Sequence, residues 1–429
     1  MNPVLLLLGS FFLLIMIKIP VAISLILSGM GTIIYLGLPF NSILNHMYSS
    51  VNSFTLLAVP FFLLLGSLMN EGGITQRLLN FSNAVIGHIK GGLGHVNILV
   101  STLFAGISGS PTSDVAGIGA MLIPAMVEDG YDPDYSVAVT GASSVIAGII
   151  PPSIKFVIYG AAGGVSIGAL FLAGIIPGIM VALTQMGYTV YLANKNNYPA
   201  MENTSFKEKL VAFKESFPTL VLPLIILVGV TGGFFTATEA AAIAVIYAFI
   251  LMVFVYKSYN ISELPKVLIE TALSASIPMF AVAGAGIMGW LIAYLNIPQY
   301  IASSIVNVTS SYLGIYTMLV LFLLLIGTVL SPITSIIIFL PIMQELGNIA
   351  GAHPVQLGIV VALCLSIGQV TPPYGICLLV AAQIGKLPTM RAFKAIIPFI
   401  LLMLVVIYIC ILFPNVVLFL PKLIMPQYV

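Results

Sequence analysis

Charged residues are scarce along the whole chain. Of the 429 residues, 14 are Lys or Arg and 13 are Asp or Glu, so 6% are charged whereas 60% are hydrophobic. A soluble domain of useful size needs a much larger polar surface, so this composition excludes one and places the chain in a lipid bilayer. The formal net charge of +1 provides no basic surface of the kind that binds nucleic acid.

Cysteine, histidine and the sequence motifs of intramembrane enzymes are scarce as well. Cys364, Cys377 and Cys410 lie in apolar segments without metal-ligand spacing, which predicts buried packing residues. The four histidines share no spacing, and neither HExxH nor a pair of acids occurs at membrane depth. An enzyme acting inside the membrane would need one of these arrangements, so we expect no enzymatic activity.

The amino terminus lacks the features of a cleaved signal peptide. Met1 to Pro3 run directly into the apolar stretch Val4 to Ile17, without a basic leader or a small-residue cleavage site. We therefore expect the first apolar stretch to be retained as a helix.

The chain does contain a repeated pattern of proline breaks within apolar segments. Pro151-Pro152 recurs as Pro372-Pro373, and the interval between the two is the same as the interval between Pro133 and Pro354. A double proline removes two backbone donors, so each break predicts a membrane helix divided into two half-helices. Such paired interruptions are typical of internally duplicated secondary transporters.

The apolar stretches predict an all-α polytopic protein with two inverted repeats. Two stretches rich in Gly, Ser and Pro, 94–127 and 315–346, are expected to be re-entrant hairpins that enter and leave on one face. Each half then crosses the membrane five times, and this odd number places the second half in the opposite orientation. The ten predicted crossings, at about 20 residues each, are 4–18, 20–37, 54–70, 134–160, 167–192, 219–233, 238–256, 273–295, 355–383 and 394–420.

The distribution of basic residues supports this topology. Basic residues collect on the cytoplasmic side of a membrane, so both termini are predicted to be periplasmic in a bacterial inner membrane. Residues 194–216 are then a cytoplasmic linker, either an amphipathic arm on the membrane surface or a flexible connection. Lys422 falls on the periplasmic face, whereas the cytoplasmic face collects Lys18, Arg77, Lys90, Lys195, Lys207, Lys209, Lys214, Lys257, Lys266, Lys386, Arg391 and Lys394.

Polar side chains cluster at the two hairpin tips and at the two Pro-Pro breaks. The first tip runs from Ser108 to Asp114 and the second from Ser331 to Ser335. Unwound backbone at membrane depth is tolerated where its groups find partners or line a wet cavity. Freed carbonyls and hydroxyls suit Na⁺, and half-helix amino termini attract a carboxylate or sulfonate. One such motif alone would be read as a helix kink, but two symmetric pairs favour a site.

Seven motifs, in order along nearly the full chain, resemble the large membrane subunit of tripartite ATP-independent periplasmic (TRAP) transporters. The resemblance implies a secondary active importer of small organic acids, either carboxylates such as sialic acid or dicarboxylates, or sulfonates. It implies Na⁺ as the coupling ion and no organic cofactor. The motifs are Phe104 to Ser110, Ile123 to Met126, Gly130 to Pro133, Ile149 to Ser153, Phe171 to Gly178, Phe235 to Ala241 and Thr371 to Gly375.

The resemblance also implies partners and an elevator mechanism, in which hairpins and broken helices slide against a fixed scaffold. A periplasmic binding protein would deliver the substrate, and a small four-helix membrane subunit, expected as a separate chain, would brace the large one.

The predicted domains are two repeats joined by the linker 194–216. The first repeat, 1–193, has scaffold helices 4–70, hairpin 94–127 and broken helix 134–160. The second repeat, 217–429, has scaffold helices 219–295, hairpin 315–346 and broken helix 355–383.

The resemblance assigns two sodium sites related by the repeat, and the polar residues of the tips and breaks are candidates for substrate binding. The first sodium site combines Ser108 and Ser110 with carbonyls around Gly148, Ile150 and Pro152. Its counterpart combines Ser331 and Thr334 with carbonyls around Gln369 and Thr371. The predicted substrate-binding residues are Thr112, Ser113, Asp114, Ser153, Lys155, Ser335 and Tyr374.

Two positions depart from the family pattern. No acid lies between Gly327 and Gln344, although the second tip often carries one. Lys155 stands where an apolar residue is usual, and because burying a lysine in a membrane is costly, we expect it to pair with the substrate anion. The alternatives are an ion pair with Asp114, or snorkelling of Lys155 along its half-helix. Asp114 would otherwise cap the second arm of the hairpin.

Another kind of transporter shares most of these features. A stand-alone Na⁺/dicarboxylate symporter has inverted repeats and two hairpins but needs no binding protein, so it is the alternative function. A channel fits less well, because paired occluding hairpins suit alternating access better than a continuous pore.

Overall fold

A computed structural model describes residues 2–429, and within this range the chain is helical without any β-strand. The predicted all-α class is therefore confirmed. The α-helices are α1 Pro3–Met16, α2 Val21–Tyr35, α3 Asn41–Val51, α4 Ala58–Glu71, α5 Ile74–Ile86, α6 Gly92–Ser108, α7 Pro111–Asp114, α8 Ala120–Glu128, α9 Pro133–Ser144, α10 Ile154–Gly163, α11 Ile167–Asn196, α12 Phe206–Thr231, α13 Ala237–Ile250, α14 Leu264–Tyr294, α15 Ile297–Val308, α16 Tyr312–Gly327, α17 Pro332–Ala350, α18 Pro354–Gly368, α19 Ile376–Ile384, α20 Thr389–Leu412 and α21 Pro414–Ile424.

Within residues 2–429, seven helical segments are long and apolar enough to cross a membrane, judged by length and composition. The shorter apolar helices include α6 and α16, which are hairpin arms, and α10 and α18, which are halves of broken helices. A half-helix or hairpin arm stops inside the bilayer, so it needs fewer than the roughly 20 residues of a full crossing. The seven segments are Phe54–Glu71, Ile167–Asn196, Phe206–Thr231, Ala237–Val255, Ile261–Tyr294, Pro332–Ala350 and Thr389–Leu412.

The two hairpins turn at the residues where their helical pattern is interrupted. In the first, α6 ends at Ser108 and the chain resumes helix at Pro111, passing through a π-helical turn, Val115–Gly119, into α8. In the second, α16 ends at Gly327 and α17 begins at Pro332. Proline is favoured at the first helical position because its missing N–H has no intrahelical partner there, so Pro111 and Pro332 define the second arms.

Both predicted breaks divide a helix. Helix α9 continues through a 3₁₀ turn, Val145–Gly148, before helix resumes as α10 at Ile154. In the second half, α18 ends at Gly368 and α19 begins at Ile376. The double prolines lie in both gaps, where no helical N–H is required.

Following the predicted domains, we distinguish two groups of helices, which leave out α11, α20 and α21. The scaffold group, α1–α5 and α12–α15, is organised around the long helix α14, which packs against α2, α3 and α4. The core group contains the hairpins and broken helices, α6–α10 and α16–α19, in which α6 packs on α9 and α18 contacts α16 and α17. The groups meet over a broad interface, where α4 and α5 contact α6 and where α14 and α15 contact α17.

Part of the predicted linker is helical. Residues 206–216 form the first turns of α12, although the sequence assigned them to the connection between repeats. The Ser205 side chain accepts a hydrogen bond from the Glu208 N–H, and the Glu208 side chain accepts one from the Ser205 N–H. This reciprocal capping box is a strong helix start signal, so α12 begins well before its apolar stretch.

Candidate substrate and ion site

The two hairpin tips and the two breaks meet at one cavity of about 420 Å³. This volume falls within the roughly 300–1,000 Å³ that is usual for small-molecule sites. Hairpin residues on its wall include Ser110 and Ser331. The second break contributes Gln369 and Tyr374, and the helix that follows the first break contributes Ile154 and Lys155. The scaffold group closes it with Ser274 and Pro278 of α14. The cavity therefore lies between the two groups of helices.

The first tip is a short network of hydroxyl groups. Gly109 has a left-handed conformation (φ 58°), and the Ser110 N–H approaches Ser108 Oγ at 3.4 Å. The Ser110 hydroxyl contacts Thr112 Oγ1 at 3.1 Å and accepts a hydrogen bond from Ser113 Oγ at 3.2 Å. These groups offer hydroxyl oxygens, the kind of ligand that hard cations accept.

The second tip repeats this arrangement with fewer hydroxyls. The Ser331 side chain caps α17 by accepting a hydrogen bond from the Thr334 N–H, and the two hydroxyl oxygens are 2.8 Å apart. Ser335 Oγ donates to the Ser331 carbonyl at 3.0 Å. Ser331 and Thr334 follow Ser110 and Ser113 at the interval that separates the two Pro-Pro breaks, so the hydroxyl pair recurs at equivalent positions in both halves.

The first break packs tightly against the first tip. Ser153 Oγ donates to the Gly148 carbonyl at 2.9 Å. A Cβ atom added to Gly109 would lie 2.7 Å from the Pro152 carbonyl oxygen. Because no side chain fits between them, tip and break act as one packed unit.

The second break leaves one polar atom without a partner. The Cys377 N–H donates to the Gln369 carbonyl at 3.0 Å, and Thr371 Oγ1 donates to the Ile367 carbonyl at 2.7 Å. Gln369 Oε1 is buried and accepts no hydrogen bond from any residue in the range 2–429. Gln369 lines the cavity. A buried acceptor without a donor is costly, so this oxygen is available to a bound cation or water.

Two interpretations of the charged residues are wrong. Lys155 and Asp114 form no ion pair within 4.0 Å, because the salt bridges found among residues 2–429 involve other residues. Asp114 does not cap its helix within residues 2–429, since it is 1% exposed and its side chain accepts no capping hydrogen bond. Lys155 is 4% exposed, and its ammonium donates to Ser366 Oγ. Its contact with a substrate stays a prediction.

The predicted residues thus fall into two sets, those that line the cavity and those that do not. Six form part of the cavity wall, namely Ser110, Thr112, Lys155, Ser331, Gln369 and Tyr374. The others lie outside the residues that define the cavity: Ser108, Ser113, Asp114, Gly148, Ile150, Pro152, Ser153, Thr334, Ser335 and Thr371.

Several wall residues were missed by sequence reasoning. Ser274 and Pro278 are one turn apart on α14, so they present one face to the cavity. Pro278 did carry a signal, because it pairs with Pro60 at nearly the same interval as the two breaks. Ser366, the partner of the Lys155 ammonium, carried none, since it lies in an uninterrupted apolar helix.

Together, the apolar helices, the two broken helices and the cavity between the two hairpin tips define a polytopic membrane transporter. The fold is also that of a solved transporter: the crystal structure of the Alcanivorax borkumensis YdaH transporter matches with a TM-score of 0.63 over 90% of this chain and 89% of that one, at 13% identity.

Residues 8–416 match the family described as the tripartite ATP-independent periplasmic transporter, DctM component. The chain is 35% identical over 405 residues to the sialic acid TRAP transporter large permease protein SiaM of Vibrio cholerae, covering 94% of this chain and 95% of that protein. It is 34% identical over 420 residues to the isethionate TRAP transporter permease protein DctMQ of Oleidesulfovibrio alaskensis, covering 97% of this chain and 66% of that protein. The chain therefore belongs to the DctM family, as the resemblance implied, and its relatives are named as transporter permeases.

Proposed function

We propose that this chain is the large subunit of a Na⁺-coupled, binding-protein-dependent importer of a small organic anion. The observation that carries the proposal is the convergence of both tips and both breaks on one cavity. The two relatives described above are named for sialic acid and isethionate, a carboxylate and a sulfonate. A shared anionic headgroup is therefore the substrate feature that this cavity has to recognise.

The cavity offers anion recognition through helix ends and hydroxyls. Helices α10 and α17 begin with Ile154 and Pro332, and both residues line the cavity. The amino terminus of a helix presents free N–H groups and a partial positive charge, which favours carboxylate and sulfonate groups. Thr112 and the exposed Tyr374 add hydroxyl groups on the same wall.

Sodium ions are co-transported with the substrate in this proposal. The oxygen ligands come from the hydroxyls of the two tips and from carbonyls at the two breaks, because unwound backbone at half-helix ends suits Na⁺. The unpartnered Gln369 Oε1 supports a cation near the second break. Binding both Na⁺ and anion in one place neutralises charge before the cavity moves through the bilayer.

The elevator mechanism accounts for the division into two groups. The core group would carry the cavity and move against the scaffold group while the hairpins alternately open toward each side. The first hairpin would open from the cytoplasm and the second from the periplasm, with both termini periplasmic. A periplasmic binding protein would deliver the anion, and a small four-helix subunit would brace the scaffold group in the inner membrane.

Uptake by reconstituted protein tests the proposal. The chain, its small subunit and its binding protein are placed in proteoliposomes with a panel of organic acids. We expect accumulation to fall by about tenfold or more when the Na⁺ gradient is collapsed, because coupling then supplies no driving force. Omitting the binding protein should have a similar effect. Full uptake without it would favour the stand-alone symporter, and uptake indifferent to Na⁺ would contradict the proposed coupling.

Gln369→Leu tests the cation site near the second break. We expect the Na⁺ concentration for half-maximal uptake to rise by about tenfold, since losing one oxygen ligand removes about 1–2 kcal/mol of binding. The matched control is Gln344→Leu, because Gln344 also lies in the second repeat but donates to the Gly163 carbonyl outside the cavity. An unchanged Na⁺ dependence in Gln369→Leu would remove its side chain from the site.

A further inference from the structure

The Lys155 ammonium lies where the carboxyl-terminal ends of two half-helices meet. It donates to Ser366 Oγ in the last turn of α18, one half-helix of the second repeat. Gly148 ends the 3₁₀ turn that completes the first half-helix of the first repeat, and this turn packs against α18. A Cβ atom added to Gly148 would overlap Lys155 Nζ, so the ammonium lies directly against this residue.

This position attracts a cation through dipoles and neutral oxygens. The carboxyl-terminal end of a helix carries a partial negative charge, and here two such ends converge. No carboxylate in the range 2–429 lies within ion-pair distance of Lys155. Asp114 is buried as well, and Cys377 lies within electrostatic range of both groups. Carbonyl ends and hydroxyls without a carboxylate in contact are also the surroundings expected for a transported Na⁺ ion.

The position of Lys155 in the sequence does not allow its charge to stabilise its own helix. It is the second residue of α10, where the positive end of the helix disfavours a cation. Its side chain reaches back across the break toward Gly148, and it bonds a residue 211 positions away. The contact therefore joins the first break to the second repeat and gives α10 itself no capping interaction.

The second repeat has no equivalent lysine. The interval between the two Pro-Pro breaks relates Gly148 to Gln369 and Lys155 to Ile376. Gln369 has the unpartnered side-chain oxygen, whereas Gly148 has no side chain and leaves room for the ammonium. The two breaks are thus built differently: one contains its own cation and the other presents an unpartnered acceptor.

We propose that Lys155 is a tethered cation that takes the place of one coupling Na⁺ ion at the first break. This inference rests on the proposed Na⁺ coupling and specifies it: free Na⁺ binds at the second break, while the first is satisfied by the lysine. Gly148 belongs to the first predicted sodium site, so ammonium and free ion compete for one position. The role differs from pairing with the substrate, in which the ammonium would contact an anion in the cavity instead of Ser366 and Gly148.

Sodium-linked thermal stability of the purified protein tests this without requiring transport. The slope of the melting temperature against the logarithm of Na⁺ concentration reports the number of ions bound on folding. Lys155→Ala vacates the position and should bind about one additional Na⁺ ion by this linkage. Lys155→Met removes the charge but keeps most of the side-chain volume, so it should leave the slope unchanged. Choline chloride at matched ionic strength is the control salt.

Each outcome decides between the roles. If the slope of melting temperature against the logarithm of Na⁺ concentration does not increase in Lys155→Ala, the inference is overturned. If, in addition, the apparent substrate affinity of this variant falls by about tenfold, Lys155 is assigned to the substrate. Lys155→Ser provides a second variant with room for an ion. If both small variants fold only with Na⁺ present, the inference is supported, and if neither folds at any Na⁺ concentration, it is wrong. Stabilisation by Na⁺ in Lys155→Ala but not in the parent protein supports the tethered cation while contradicting sodium coupling of the parent.

Discussion

Gly109→Ala is expected to reduce uptake by about tenfold or more, because the new Cβ atom has no space beside the first break. That atom would lie 2.7 Å from the Pro152 carbonyl oxygen, and both partners are backbone atoms that no rotamer change can move. Gly109 also has a φ of 58°, a conformation that costs an L-residue about 1–2 kcal/mol. Separating tip from break should displace Ser110 from the cavity wall. Initial uptake rates at saturating Na⁺ measure the effect.

The matched control isolates the contact from the backbone strain. Gly130 also has a positive φ, 90°, but no atom lies within 4 Å of a Cβ added there. Gly130→Ala should therefore lose about 1 kcal/mol of stability and retain uptake within about twofold. If both variants lose uptake equally, the effect is due to backbone strain and not to the contact with Pro152. Normal uptake by Gly109→Ala would show that tip and break do not need this close approach.

Much of the site followed from the positions of proline in the sequence. The constant interval between paired prolines located both breaks, and Pro111 and Pro332 lie where the second arms of the hairpins begin. Proline is informative because its effect is local: it fixes its own φ and removes its own donor in any surroundings. The polar residues at the tips and breaks could be predicted because they lie beside these prolines in the sequence.

Features that depend on packing between distant segments could not be predicted. The Ser366 hydroxyl bonds Lys155 across the two repeats, and nothing in an apolar helix indicates which face meets the other half. Asp114 was expected to cap a helix because Asp favours that position, yet its carboxylate is buried beside the core helices. At Asp114 the packing of the surrounding helices determines the structure, and the local capping preference of Asp does not, as is common near functional sites.

The start of α12 is an intermediate case. The Ser205 and Glu208 spacing is a helix start signal that stands in the sequence, but the charged residues that follow favoured a surface linker. Composition alone left residues 206–216 as either an amphipathic arm or a flexible connection. The capping box agrees with the structure because reciprocal hydrogen bonds satisfy two amino-terminal donors of the helix.

A disulfide between α4 and the first tip is expected to stop transport reversibly. A Cβ atom added to Gly66 would lie 3.6 Å from Ser108 Cβ, within the range of about 3.5–4.5 Å that a disulfide requires. Gly66 belongs to the scaffold group and Ser108 to the core group, so the bond would join the two groups that the elevator mechanism moves apart. Uptake by Gly66→Cys/Ser108→Cys should fall by about tenfold on oxidation and recover on reduction.

Comparison with a crosslink inside one group separates blocked movement from general damage. A Cβ atom added to Gly29 would lie 3.4 Å from Ile287 Cβ, and these residues are on α2 and α14, both in the scaffold group. Oxidised Gly29→Cys/Ile287→Cys should keep uptake within about twofold of its reduced form, because no relative movement of the groups is restrained. The three native cysteines are buried and stay in both proteins, and Ser108→Cys alone measures the loss of its hydroxyl. If the α4–tip crosslink forms completely and import continues at the reduced rate, the core group does not slide along α4, and the cavity must reach both sides of the membrane by hairpin movement within a fixed bundle.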